Sequence, residues 1–111
     1  MTENRRSYKR FETDMVFWMK TLDTDDSFNP FFVENISAGG ILVNTRIPLA
    51  VGNNMLLSFE LPQHTDLIEA TAEVRYTKEI RKNHFQSGLK FTSVDGVPSS
   101  VLLDYLEEIF Q

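Results

Sequence analysis

The stretch from Ile68 to Thr77 limits the fold of this chain more than any other. Ile68, Ala70, Ala72, Val74 and Tyr76 alternate with Glu69, Thr71, Glu73, Arg75 and Thr77. A period of two belongs to an extended strand, whose successive side chains point to opposite faces. One face here is apolar and the other polar, so the strand has a core on one side and water on the other. Tyr76 is expected on the apolar face.

Five more segments have strand character. They are residues 15–22 (MVFWMKTL), 31–36 (FFVENI), 41–45, 55–61 and about 84–92. Met55, Leu57, Phe59 and Leu61 share one face, as do Phe85, Ser87, Leu89 and Phe91. Turn residues separate the segments: DTDDSFNP, Gly39-Gly40, Pro48 with Gly52-Asn53-Asn54, Pro62 to Asp66, and the polar run Lys78 to Asn83. The period then changes. Val97, Val101, Leu102, Tyr105, Leu106, Ile109 and Phe110 recur at three- and four-residue steps, which predicts an amphipathic helix of about twelve residues. Pro98 suits its first turn. Glu107 and Glu108 sit where the helix dipole disfavours acids, so the apolar stripe must hold this helix. Short strands at near-regular spacing, followed by one helix, predict a mainly β fold: a small antiparallel barrel with a helix packed on it.

A chain of 111 residues is enough for one domain and too short for two ordinary ones. The expected division is a flexible arm over residues 1–11 and a single domain over residues 12–111, helix included. There are no cysteines, which excludes disulfides, thiolate metal sites and a cysteine nucleophile. The polar N-terminus lacks the apolar stretch of a secretion signal, and no apolar run is long enough to span a membrane. A cytoplasmic location, without membrane insertion, is the expectation. Net charge is −5, which disfavours general binding to nucleic-acid polymers. Yet residues 5–10 hold four basic residues and no acid. Such local positive charge suits a compact anion better than a long polyanion.

That basic run, Arg5-Arg6-Ser7-Tyr8-Lys9-Arg10, is the first of two motifs. A guanidinium is planar and permanently charged, with donors in a fork that fits a phosphate or the O6 and N7 of guanine. Arg6 and Arg10 place two such forks on the arm. The second motif is Asn35-Ile36-Ser37-Ala38-Gly39-Gly40. Asn35 offers an amide and a carbonyl, and Ser37 offers a hydroxyl. Gly40 permits either a positive φ or a close backbone approach. This set suits recognition of a polar base edge, and also suits a plain turn between strands.

Taken together, R-x-x-x-R ahead of a β domain and [D/N]-x-S-x-x-G at the start of its second hairpin resemble the PilZ domain family. Gly88-Leu89-Lys90-Phe91 is similar to the G-x-x-F of that family's last strand. Gly52 before an alternating apolar strand agrees, and so does the helix that ends the chain. The resemblance runs from about Arg5 to Phe110. It implies a six-stranded antiparallel barrel that binds the bacterial second messenger cyclic di-GMP as ligand, with no cofactor. Residue by residue, it implies that Arg6 and Arg10 grip phosphate and the guanine Hoogsteen edge. Asn35, Ser37 and Gly40 would contact a guanine and its surroundings. Arg5, Lys9 and Gly39 are candidates for further contacts. In this family the residue at Arg5 influences whether one ligand or a stacked pair binds. The family's usual outputs are motility, surface attachment, exopolysaccharide synthesis and virulence. With no output domain in these residues, the expected route is an effector protein in trans or self-association as a homodimer.

Other patterns carry less. Asp23, Asp25, Ser27, Asn29 and Glu34 mimic the spacing of a calcium-binding EF-hand loop, but Phe28 stands where glycine is needed and Pro30 follows. His64 and His84 lie in separate polar loops, which gives neither a zinc site nor acid–base catalysis. Ser99-Ser100 belongs to a helix start rather than a nucleophile elbow. Asn35-Ile36-Ser37 matches a glycosylation sequon, which is set aside without a secretion signal. No enzyme is expected. Two rival readings are a protein-interaction module that binds no nucleotide and a single-stranded nucleic-acid binder. The intact motifs oppose the first and the acidic total opposes the second.

Overall fold

The computed structural model describes residues 10–13, 15–22, 24, 25, 27–60 and 67–94. They form seven strands: β1 (Phe11–Glu12), β2 (Val16–Thr21), β3 (Asn29–Ser37), β4 (Gly40–Thr45), β5 (Asn54–Phe59), β6 (Ile68–Arg81) and β7 (His84–Val94). All pairings are antiparallel. The order β3-β2-β5-β6-β7-β4 closes because β4 pairs back onto β3, giving a six-stranded barrel with β1 as an extra strand. β1 and β2 lie end to end on one edge of β3, since Phe11 faces Ile36 and Val16 faces Phe32. Closure leaves no exposed edge in the ring itself.

The interior follows from alternation. Phe17 and Met19 of β2, Val33 and Ile36 of β3, Ile41 and Val43 of β4, Leu57 and Phe59 of β5, and Ile68, Ala70, Ala72 and Val74 of β6 are all buried. The Phe17 and Phe59 rings stack across neighbouring strands, with centroids 4.0 Å apart and planes 5° from parallel. Small alanines on β6, Ala70 and Ala72, stand opposite Leu57 and Met55 on β5. Between β6 and β7 the barrel is finished by a polar pair, where the Thr77 hydroxyl meets the Ser87 hydroxyl at 2.9 Å and donates to the Leu49 carbonyl.

Several features depart from the sequence reading. Asn29 and Pro30, read as turn, open β3. Phe11, read as the end of the arm, is a buried β1 residue, because its ring completes the core. Lys78 to Arg81, read as turn, continue β6; the turn is only Lys82-Asn83, with Asn83 at φ 60°. Lys78 to Arg81 are exposed on both faces of β6, so they carry no apolar alternation to read. Tyr76 is exposed rather than buried, because the ladder slips by one residue between Val74 and Tyr76. β5 ends at Phe59, two residues before the expected Leu61. The helix expected over residues 97–110 lies outside the described residues. Among the described residues no helix is long and apolar enough to cross a membrane.

Truncating one stacked ring tests this core. Phe59→Ala should lower unfolding free energy by about 3–5 kcal/mol, read from the urea midpoint.

Candidate functional site

The chemistry-bearing residues collect on the outer face of β3, β4 and β7 and at the rim where β1 begins. A β-bulge puts them there. The β3–β4 register shifts between Val33 and Asn35, leaving Glu34 as the extra residue. Strict alternation from Val33 would turn Asn35 into the core. With the bulge, Ile36 takes the interior place and Asn35 faces outward, partly exposed. Thr13 N–H donates to the Glu34 carbonyl at 3.0 Å and Val33 N–H to the Met15 carbonyl at 2.9 Å, which fix the chain between β1 and β2 beside the bulge.

Arg10 takes its position from the strand it leads into. Phe11, only 4% exposed, anchors β1 opposite Ile36. One step earlier, Arg10 comes abreast of Ser37. Its Nη1 donates to Asn35 Oδ1 at 2.8 Å. The two sequence motifs therefore meet directly, although 25 residues separate these positions.

Ser37 shapes the corner. Its Oγ accepts from Gly39 N–H at 3.1 Å and from Gly40 N–H at 3.3 Å. These bonds fold the two-residue turn Ala38-Gly39 between β3 and β4, and leave the hydroxyl proton as the group Ser37 can donate. Gly39 is also engaged through its carbonyl, which accepts from Phe91 N–H at 2.9 Å. Gly40 needs its glycine for space: a Cβ there would stand 2.1 Å from the Leu89 carbonyl oxygen. The sequence left open a positive φ or a close approach, and the close approach is the one found.

Arg10, Asn35, Ser37 and Gly40 are thus brought together at one rim, with Gly39 in their turn. Arg5, Arg6 and Lys9 lie outside the described residues. Two neighbours join the site that the sequence reading places elsewhere, Glu34 in an EF-hand-like spacing and Lys90 within the G-x-x-F of the last strand. Lys90 faces Gly40 across β4 and β7 and is exposed. Glu34 accepts from Asn44 Nδ2 and Gln86 Nε2, each at 3.0 Å on Oε1, so the bulge also sets a carboxylate on this face. Neither is marked for this site in the sequence, because both reach it through strand register. Among the described residues no cluster of His, Asp and Glu could hold a metal ion.

Comparison with known proteins fits this geometry. The family model for the PilZ domain matches residues 4–108. No curated protein matches the chain. Among solved structures, the Bacillus subtilis inhibitor of motility, MotI/DgrA, superposes with a TM-score of 0.78 at 24% identity, over 96% of this chain and 51% of that one. The chain therefore spans about half the length of that protein. The PilZ domain of YcgR from Escherichia coli, solved with c-di-GMP, gives 0.66 at 20% identity, over 96% of this chain and 90% of that one. PlzA from Borreliella burgdorferi, solved in complex with c-di-GMP, gives 0.62 at 16% identity, over 97% of this chain and 42% of that one.

Two substitutions probe the corner. Ser37→Ala should destabilise the fold by about 1–2 kcal/mol, since two turn N–H groups lose their acceptor. Gly40→Ala should cost about 1–3 kcal/mol or more, because the added methyl meets backbone. Denaturant titration reads both.

Proposed function

The chain belongs to the PilZ domain family, and from that premise we propose that it is a receptor for cyclic di-GMP, seated at the rim where Arg10 meets Asn35. The observation that carries this reading is the 2.8 Å bond from the Arg10 guanidinium to Asn35. It joins the motif suited to phosphate to the motif suited to a base edge. The site is built for an anion with directional hydrogen bonding: a fork donor from Arg10, an amide from Asn35 and a hydroxyl proton from Ser37.

In this reading Arg6 joins Arg10 in neutralising the two phosphates, and Asn35 and Ser37 fix a guanine. Arg5, Lys9 and Gly39 add contacts around them. Arg10 bonds the acceptor oxygen of Asn35 before ligand arrives. A phosphate or a guanine Hoogsteen edge can compete for that guanidinium, which then carries the arm over the ligand. A ligand that prefers the closed arm shifts the population toward it. The closed arm presents a new surface, and an effector protein in trans, or a second copy of this chain, reads it. Among the described residues the core is mainly apolar and the rim pairs no nucleophile with a base, so the reading is binding rather than catalysis.

Calorimetric titration tests this. The wild-type protein should bind cyclic di-GMP, and Arg10→Ala should weaken it by about ten- to a hundredfold, the equivalent of about 1–3 kcal/mol for one bidentate contact. Equal affinities in the two proteins would overturn the assignment.

A further inference from the structure

We propose that Glu34 reads the Watson–Crick edge of a guanine seated at the rim, and so sets the preference of this site for guanine over other purines. The inference rests on the proposed dinucleotide reading and deepens it. Guanine presents two acceptors, O6 and N7, on its Hoogsteen side. Its Watson–Crick edge adds two parallel donors, N1–H and the N2 amine. A site that tells guanine from another purine needs an acceptor for those donors.

The rim side chains described so far are rich in donors. Arg10 only donates, and so does exposed Lys90 opposite Gly40. Asn35 Oδ1 is taken by Arg10 at 2.8 Å, which leaves its NH2 group, again a donor. Ser37 Oγ already accepts from Gly39 and Gly40, so its proton is what it offers. These groups fit phosphate oxygens, O6 and N7. The N–H donors of a base find no side-chain acceptor among them. A carboxylate, which only accepts and has two oxygens, is their complement.

Glu34 supplies that carboxylate in a fixed position. It is the extra residue of the β3 bulge and directly precedes Asn35. Its side chain reaches Asn44 and Gln86, which face outward because their chain neighbours Val43 and Ser87 are buried. Both amides donate to Oε1, each at 3.0 Å, from two different strands. Oε2 has no partner among the described residues. The side chain is half-buried, so the sheet orients this oxygen without enclosing it. Its charge also repels phosphate, which leaves a base as the fitting neighbour. A second carboxylate, Glu12, faces Asn35 from β1, but it is exposed and no amide among the described residues holds it.

The two amide bonds also knit the bulge to β4 and β7, which by itself is a structural role. A ratio of affinities separates the two roles. Cyclic di-GMP and cyclic di-IMP, whose hypoxanthine lacks the N2 amine, are titrated by calorimetry into wild type, Glu34→Gln and Glu12→Gln, with the thermal midpoint recorded in parallel. In Glu34→Gln the new carbonyl must face the two amides, so its NH2 group meets the base, donor against donor. Wild type and Glu12→Gln should favour cyclic di-GMP by about tenfold or more, and Glu34→Gln should bring the two ligands within about twofold of each other. A Glu34→Gln protein that binds both ligands more weakly but keeps the wild-type ratio would overturn the proposal. Loss of the ratio in Glu12→Gln instead would also overturn it. Equal binding of the two ligands by wild type would overturn it and leave the Arg10 assignment standing. No binding of either ligand by wild type would overturn both readings together.

Discussion

Two extra residues set what this barrel can do. A closed sheet with a filled interior obeys a period of two, and every side chain is assigned inside or outside by its place in the count. The bulges at Glu34 and Arg75 each shift that count by one. Asn35 and Tyr76 would otherwise compete for core space with Phe17, Ile36 and Phe59. Instead both face outward. The bulges are thus the physical link between a stable interior and a polar, aromatic outer face.

The rim depends on similar small commitments. Phe11 is buried, so the chain just before it cannot wander far, and Arg10 is delivered to Asn35. Ser37 gives its lone pairs to the turn, and Gly40 lets β4 press against Leu89. None of these contacts is large in energy. Each bond contributes about 1 kcal/mol, but together they fix where charged and polar groups stand. In a chain of net charge −5, such placement matters more than total charge. A fixed guanidinium creates a local positive region that the overall balance would hide.

Much of this is legible in the residues. The alternation of Ile68 to Val74 and of Met55 to Phe59 announces half-buried strands, and the observed strands carry it. The two motifs name Arg10, Asn35, Ser37 and Gly40, which the fold brings to one rim. The bulges are not legible, because an extra residue in a strand looks like any other residue until its partner strand is known. Counting along β6 alone puts Tyr76 in the core for that reason. Lys90 and Glu34 are not placed at the site because cross-strand neighbours are set by register, not by spacing along the chain. Lys78 to Arg81 read as turn because a strand end exposed on both faces has no apolar period.

The central claim is that a cyclic dinucleotide sits at the rim where Arg10 meets Asn35. The most direct measurement is a backbone-amide NMR titration of the wild-type protein with cyclic di-GMP. The account predicts shifts concentrated at Arg10, Asn35, Ser37, Gly39 and Gly40. Shifts confined to the Lys82-Asn83 turn and the segment between β4 and β5, at the opposite end of the barrel, would contradict it.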